Sequence, residues 1–281
     1  NATLTITDAN ATQHDGNYTV VVSNDFGSVE SGDMELKIYH WNVLVVQGVE
    51  MWLDSNDSSS IELNGDKVIS WNDKSGKENN ASQLSDSLRP SYGQDDNGSY
   101  VIFTSSSTSS STGGSVDADN YLLLNGITGK SIFFVINHDG APVSYLLGAD
   151  YPANRSYIFI DPAVGDYSIS IDGQTSDSGS WWYNGSFVAT GGDLGTINQT
   201  AINTSTLHSI IYEQNSPSTP FVRIGSSSDN KGGFGGKVRE IISFSSYLSA
   251  ADRQKIEGYL AHKWNLATEL PSDHPYKNSA P

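Results

Sequence analysis

The stretch that decides the fold is "REIISFSSYLSAADRQKIEGYLAHKWNLATELPSDHPYK", residues 239–277. Its first residues continue a strand-like run that begins at residue 236, and the spacing of apolar residues then changes to that of a helix. His262 and His274 flank Trp264 but stand 12 positions apart, which is too far for two metal ligands on one helix. We therefore interpret the aromatic residues and histidines of this stretch as packing and capping groups rather than as an active site.

The helix in this stretch is predicted from Ala250 to Trp264. Ser249 is a suitable N-cap, and an acid three residues later suits the positive end of a helix. Asn265 is a suitable residue to end the helix, because Asn tolerates the left-handed conformation found there. The residues predicted on one face are Ile256, Tyr259, Leu260, Lys263 and Trp264.

The rest of the chain predicts an all-β protein. Short apolar runs recur and are separated by Gly, Asn, Asp and Ser, which is the rhythm of a β-sandwich or jelly roll. The predicted strands are 130–137, 144–149, 155–161, 166–173, 186–192, 207–214, 220–226 and 236–246.

Three further motifs precede this closing segment. They are Trp52-Leu53-Asp54, the Val-x-x-Trp-x-Asp-x-Ser-Gly segment from Val68 to Gly76, and Arg89-Pro90-Ser91-Tyr92. With "LNGITGKSIFFVI" (124–136) and the closing stretch, they resemble the laminin-G-like, concanavalin A-like modules of large bacterial extracellular proteins. The resemblance implies a jelly-roll sandwich with one C-terminal helix, assigned to residues 45–281. The chain departs from the family after Phe103, where "TSSSTSSSTGGS" forms a low-complexity loop.

Residues 1–40 form a separate segment of alternating strands. The stretch "ATQHDGNYTVVVSNDFGSVES" resembles the last third of an immunoglobulin-like domain, with matches at Gly16, Tyr18, Asn24 and Gly27. About 100 residues make a whole domain of that kind. The segment is therefore part of a domain cut from a longer protein, or packs on the following domain, or self-associates with another subunit by strand pairing.

The amino-acid composition limits the classes of partner that the protein is expected to bind. The 281 residues carry a net charge of −17 and no Cys, so disulfides and thiol chemistry are excluded. A strongly acidic surface repels phosphate, which argues against nucleic acid and anionic lipid. No apolar run is long enough to insert in a membrane, and the start "NATLTITDAN" does not read as a signal peptide.

Asn-x-Ser/Thr sequons are frequent in the chain. They indicate either glycosylation or only a surface rich in Ser and Asn. The ten sequons begin at Asn1, Asn10, Asn17, Asn56, Asn80, Asn97, Asn154, Asn184, Asn198 and Asn203.

No motif for catalysis is evident, so the chain is not predicted to be an enzyme. Glycosidases of this architecture place several acids on one strand, whereas the run "KVREIISF" has only Glu240, next to Arg239. Lyase, Gly-x-Ser-x-Gly, zinc-protease and phosphate-loop motifs are also absent from the sequence.

The candidate ligand-binding residues are aromatic. Trp181, Trp182 and Tyr183 lie in "SGSWWYNGS", and aromatic rings stack on the CH faces of sugars. On a strand Trp182 points away from the other two, so either one ring is core and the others form a platform, or all three are structural. Asn154 and Arg155 could hydrogen-bond sugar hydroxyls, or belong to a solvated loop.

Calcium is the second candidate ligand. Asp54 and Asp57 in "DSNDSSS", together with Asp229 in "DNKGG", offer the oxygen atoms that Ca²⁺ prefers. Turns rich in Asp and Asn that hold no metal are the alternative, and no cofactor is required.

The function expected from these features is a non-catalytic, lectin-like module for recognition or adhesion that binds glycans. The module would be part of a larger surface protein outside the cell of a bacterium, and the bacterium could be a marine species. The alternative is a structural subunit or spacer of a glycosylated surface layer or filament, in which the immunoglobulin-like strands make the contacts between subunits. A third hypothesis is that the chain is an accessory module of a polysaccharide-degrading enzyme.

Overall fold

The computed structural model divides into two compact units, residues 1–45 and residues 46–281. The structure describes residues 14, 16–36, 41–106, 117–139, 144–149, 157–161, 166–171, 179–190, 193–198, 205–212, 220–227 and 233–281.

The described residues of the first unit form four short antiparallel strands. They are β1 (Gly16–Tyr18), β2 (Val21–Asn24), β3 (Gly27–Glu30) and β4 (Met34–Leu36), with β1 paired to β4 and β2 paired to β3. The Tyr18 hydroxyl donates a hydrogen bond to the backbone oxygen of His14 over 2.8 Å. A Tyr hydroxyl bound to backbone a few residues upstream is the feature known as a tyrosine corner in immunoglobulin-like domains.

The second unit is mostly β. Its first strands are β5 (Val49–Asp54), β6 (Ile61–Asn64), β7 (Lys67–Trp71), β8 (Ala81–Ser82), β9 (Ser91–Asp95), β10 (Gly98–Phe103), β11 (Ser105–Ser106), β12 (Asp117–Ala118), β13 (Leu122–Ile127) and β14 (Ser131–His138). Those that follow are β15 (Ser144–Ala149), β16 (Tyr157–Asp161), β17 (Asp166–Ile171), β18 (Gly179–Tyr183), β19 (Ser186–Thr190), β20 (Asp193–Asn198), β21 (Thr206–Tyr212), β22 (Phe221–Ile224) and β23 (Gly236–Phe244).

All the strand pairings of this unit are antiparallel among the described residues. One run of neighbours is β19, β18, β21, β14 and β23, and β23 then pairs with β10 near its start and with β5 near its end. A second run is β8, β13, β22, β15, β16, β17 and β20. Strands β7 and β9 connect the two runs, because β7 pairs with β8 and β9, and β9 pairs with β10.

Both runs contribute to one hydrophobic core. Phe134 and Ile241 come from the first run, and Leu146 and Ile224 come from the second. Burial of these large side chains on one side of each run is the main favourable contribution to folding.

The helix α1 (Ala250–Lys263) buries the opposite face of the first run. All eight residues of β14 are buried, because alternate ones face the core and the others face away from it, where α1 contacts β14 and β21. This arrangement explains the continuous apolar run "IFFVI" in β14, since a strand that is covered on both faces has no solvent-exposed side.

The ends of α1 follow the sequence prediction. The Ser249 hydroxyl accepts from the backbone N–H of Asp252 and donates to its carboxylate, over 3.1 and 2.8 Å. At the other end Asn265 has φ of +58°, and the Leu266 N–H donates to the Ala261 carbonyl over 2.7 Å. This six-to-one bond is that of a Schellman motif, which satisfies a carbonyl that the helix leaves unpaired.

The prediction of a mostly β chain with one C-terminal helix is confirmed, the β part being a large antiparallel sheet. In the part of the chain that the structure describes, no helix has the length and apolar character needed to cross a membrane.

Candidate functional site

The predicted aromatic segment forms a tight hairpin between β18 and β19. Asn184 and Gly185 occupy the turn with φ of +47° and +76°, a pair of positive values that favours Asn-Gly. The register places Trp182 opposite Phe187 and Tyr183 opposite Ser186. The two side chains of each opposed pair therefore lie on the same face of the hairpin.

Trp181 belongs to the core. Its side chain is completely buried, and its ring stacks on the His208 imidazole with 5.9 Å between centroids and 7° between planes. A ring without solvent access cannot stack on a sugar. The prediction that Trp181 is a binding residue is therefore wrong, and Trp181 is a core residue.

Tyr183 lies on the same side of the strand as Trp181 and is half-buried at its end. Its ring meets His208 edge to face at 5.3 Å. Burial raises the pKa of its hydroxyl, and the negative charge of Glu269 adds to the shift. Within the described ranges this hydroxyl has no hydrogen-bond partner, which leaves it available as a donor.

Trp182 lies on the opposite face and forms a T-shaped pair with Phe187, with 5.7 Å between ring centroids. Phe187 is 58% exposed, although it is a large apolar residue. We call Trp182 and Phe187 the aromatic pair. Phe187 was not among the binding residues predicted from the sequence. The Asn-Gly dipeptide could have indicated it, because a two-residue turn places the residues on its two sides opposite each other.

Arg253 of α1 supports the aromatic pair from the protein side. Its guanidinium lies 4.1 Å from the centroid of the Trp182 ring, within the range of a cation–π contact. The same group donates to both oxygens of Glu257, over 2.5 and 2.6 Å. Glu257 is completely buried and also receives the Ser209 hydroxyl at 2.6 Å and His274 Nε2 at 3.2 Å. This network holds Arg253 in place, so the aromatic pair rests on a rigid support.

The C-terminal tail fixes the turn of the hairpin. A Cβ added to Gly185 would lie 3.0 Å from Leu270 Cδ2, 3.2 Å from Pro271 Cδ and 3.3 Å from His274 Cδ2. The turn therefore packs on the tail, and Glu269, the residue before Leu270, lies at this end of the hairpin. Asn154 and Arg155, the two predicted hydroxyl-binding residues, lie outside the described residues.

The predicted calcium ligands hold ammonium groups instead. Asp54 contacts Lys263 Nζ at 2.7 Å and Lys74 Nζ at 2.8 Å, and Asp57 contacts Lys74 Nζ at 2.9 Å. Hydrogen bonds from Ser59 and Lys74 lower the pKa of Asp57. These cations already neutralise the oxygens that a calcium ion would need.

The calcium prediction gains no support from the described residues. Asp229 lies outside them, and no three His, Asp or Glu side chains among them are grouped to hold a metal ion. Melting temperatures measured with EDTA and with added Ca²⁺ test this prediction directly, since a structural site would raise the melting temperature with Ca²⁺.

A buried carboxylate cluster lies where α1 meets the sheet. Glu240 of β23 is completely buried and accepts from Trp52 Nε1 at 2.7 Å, Trp264 Nε1 at 2.6 Å and the Tyr259 hydroxyl at 3.0 Å. Lys263 Nζ forms an ion pair with it at 2.7 Å. Burial raises the pKa of the Glu240 carboxyl, and the Lys263 ammonium opposes this rise. Because four donors saturate the carboxylate and solvent does not reach it, we interpret the cluster as an anchor for the helix.

By its fold, the chain is a mostly β protein with a large antiparallel sheet and a C-terminal helix. Comparison with protein-family models, with curated proteins and with solved structures found no match to it.

Proposed function

We propose that this protein is a non-catalytic recognition module that binds glycans at the aromatic pair. The observation that carries the proposal is the exposed Phe187 ring beside Trp182, with Arg253 fixed beneath Trp182. An isolated exposed Phe is ordinary in proteins, but a paired and supported one provides a rigid apolar surface.

Such a surface suits a sugar ring because the CH groups of a pyranose pack on an aromatic face. A rigid surface loses little conformational entropy on binding. Here the Asn-Gly turn, the contacts with the tail and the Arg253–Glu257 network all limit movement of Trp182.

The strand pairing supports a jelly-roll sandwich for the second unit, because two antiparallel runs share one core and are joined through β7 and β9. Together with the motifs at Trp52, Val68–Gly76 and Arg89–Tyr92, this arrangement favours a laminin-G-like module. We place the module outside the cell as part of a surface protein, in keeping with the acidic, cysteine-free chain and its ten sequons.

A glycan array probed with the whole chain tests the proposal. Phe187→Ala and Trp182→Ala should each weaken binding at least about tenfold, since stacking on one ring contributes on the order of 1–2 kcal/mol. Leu84→Ala is the matched control, because Leu84 is an apolar residue that is 87% exposed away from this hairpin. Binding that survives both aromatic substitutions, or an array without any binding, contradicts the proposal.

A second function, as a subunit of a surface filament, is favoured by the first unit. Val22 and Val29 are paired across β2 and β3 and are 69% and 74% exposed, and Met34, opposite Tyr18, is 69% exposed. An apolar face on a two-stranded sheet promotes association. Sedimentation measured at increasing protein concentration tests this function. The hypothesis predicts oligomers that dissociate when Val22→Ser and Val29→Ser are combined. A monomer at every concentration would contradict it.

A further inference from the structure

We infer that Arg253 is a ligand-binding residue beside the aromatic pair and donates two hydrogen bonds to adjacent hydroxyl oxygens of the bound sugar ring. This inference rests on the proposed function and specifies the ligand group that is recognised. Its basis is the part of the Arg253 guanidinium that contacts within the protein do not use.

One nitrogen of the guanidinium is bound within the protein. Nη1 of Arg253 donates to both carboxylate oxygens of Glu257, over 2.5 and 2.6 Å. Glu257 Oε1 also accepts from the Ser209 hydroxyl at 2.6 Å, and Oε2 lies 3.2 Å from His274 Nε2. The Glu257 carboxylate is completely buried, and these four contacts occupy its acceptor positions. The guanidinium is therefore fixed in position before a ligand binds.

The opposite edge of the guanidinium is free. Arg253 is only 7% exposed, yet in the part of the chain that the structure describes its Nε and Nη2 atoms have no hydrogen-bond partner. Both atoms keep contact with the surface rather than being enclosed by the protein. Buried polar groups are nearly always hydrogen-bonded, so unused N–H groups on a side chain that is more than nine-tenths buried indicate a site for an acceptor.

These N–H groups lie beside the aromatic pair. The guanidinium carbon of Arg253 is 4.1 Å from the centroid of the Trp182 ring, and Nε and Nη2 are bonded directly to that carbon. Phe187 provides the exposed ring of the pair. A sugar ring that packs on these aromatic residues brings its hydroxyl groups to the edge of the guanidinium. An apolar surface with a few fixed polar groups at its border is the usual composition of a small-ligand site.

The geometry of the free donors indicates the ligand group. The Nε–H and one N–H of Nη2 point in the same direction, as part of a rigid fork. Two hydroxyl oxygens on neighbouring carbons of a pyranose can each accept one of these bonds, whereas a single isolated oxygen leaves one donor unpaired. Hydroxyl groups are neutral, so binding them does not alter the charge balance of the buried Arg253–Glu257 ion pair.

The test uses the methyl glycosides of glucose, galactose, mannose and N-acetylglucosamine, each with its monodeoxy analogues, titrated into the whole chain. For a glycoside that binds, removal of either hydroxyl of one adjacent pair should weaken binding at least about tenfold, because a hydrogen bond to a charged group is lost and its donor stays unpaired. If no adjacent pair of hydroxyls has this effect, the inference is wrong.

Arg253→Lys separates ligand binding from support of the ring. Lysine keeps a positive charge near Glu257 and Trp182 but lacks the Nε–Nη2 edge. The variant should bind the parent glycoside at least about tenfold more weakly and should no longer distinguish it from the two deoxy analogues. A residue that only supported Trp182 would lower the affinity for all three alike. Lys255→Ala, on the same helix at a side chain that is 40% exposed, is the control and should keep the wild-type pattern.

A second measurement does not depend on the folding of a variant. In proton–nitrogen correlation spectra of the wild-type protein, the Arg253 Nε–H signal should shift and exchange more slowly with water when a saturating glycoside is added, since the N–H then has an acceptor. Lys255→Ala should leave this response unchanged.

The outcomes separate the two hypotheses. An Arg253 Nε–H signal that a saturating glycoside does not change, or a deoxy-sugar pattern that Arg253→Lys retains, overturns the inference. Glycan binding at the aromatic pair still stands in that case if Phe187→Ala abolishes binding and Leu84→Ala does not. A panel in which no glycoside binds overturns both hypotheses.

Discussion

The indole N–H of Trp264 donates to Glu240 Oε2 over 2.6 Å and so joins the last turn of the helix to the central strand β23. The partners lie 24 residues apart in sequence, and both are buried. A buried carboxylate is costly unless its oxygens are fully bonded. Here Trp52, Tyr259 and Lys263 supply the remaining donors, so the helix cannot leave the sheet without leaving a buried charge unpaired.

Glu240→Gln should lower the free energy of unfolding by about 3 kcal/mol. Glutamine has one acceptor oxygen where four donors converge, and its N–H₂ group would face other donors. Urea denaturation followed by tryptophan fluorescence measures the change. Glu62→Gln, at an exposed position, is the control and should stay within about 0.5 kcal/mol. Equal stability of the two variants would contradict the role of Glu240 as an anchor.

Gly258→Ala should destabilise the protein although Ala is the better helix former. Gly258 is buried inside α1, and a Cβ at this position would clash with the Cβ and ring of Tyr276 in the tail. The helix itself would gain about 1 kcal/mol, but overpacking costs about 1–3 kcal/mol. A double-mutant cycle checks the cause by thermal unfolding: in a Tyr276→Gly background, which lacks both the Cβ and the ring, the clash is absent, so Gly258→Ala should no longer destabilise. The same loss in both backgrounds would rule out the tail contact as the cause.

Trp181→Ala and Phe187→Ala should differ sharply in stability, although the two residues lie on neighbouring strands. Trp181 is completely buried, so its removal leaves a cavity and costs about 3–5 kcal/mol. Phe187 is largely exposed, and its removal should cost less than about 1 kcal/mol. Chemical denaturation of both variants decides the matter, and a comparable loss for Phe187→Ala would show that this ring is part of the core.

Stability should fall as the pH is lowered from about 6.5. Burial lowers the pKa of His208 from 6.5 to about 3, with a smaller contribution from His138. Between these values the unfolded chain binds a proton that the folded protein does not, so stability is lost with falling pH by at most about 1.4 kcal/mol per unit. His138 acts in the same direction, because burial lowers its pKa to about 4.

His208→Phe keeps an aromatic ring between Phe134 and Trp181 and removes one titrating group. Unfolding free energies measured at pH 7, 6 and 5 should therefore depend less steeply on pH in the variant than in the wild type. Between pH 7 and 9, where imidazole does not titrate, the two proteins should run parallel. An unchanged slope below pH 6.5 would exclude His208 as a source of the acid sensitivity.

Local features of the chain were predictable from sequence. The helix from Ala250, its Ser249 cap and its end at Asn265 depend on side chains bonding to backbone within a few positions. The opposite orientation of Trp181 and Trp182 follows from the two-residue period of a strand. Such features need no knowledge of distant residues.

The buried charges were not predictable in this way. Arg239 and Glu240 are adjacent on β23 and are both buried, which sequence rules treat as exceptional. They are tolerated because Asp95 binds the guanidinium and four donors bind the carboxylate, and those partners come from other parts of the chain. Likewise, the sequence did not indicate that Lys74 and Lys263 would contact the oxygens of Asp54, the predicted calcium ligand.

The sequence by itself determined the strands, the helix and the turn between Trp182 and Phe187, because short-range backbone geometry and the spacing of apolar residues specify them. Only the tertiary structure decided which aromatic rings reach solvent and which charges are neutralised. Both depend on contacts between residues far apart in the chain: Trp181 is buried by the core, and Arg253 lies under Trp182 because α1 packs on the sheet. Burial and charge pairing are properties of the packed molecule, and the candidate site is defined by both.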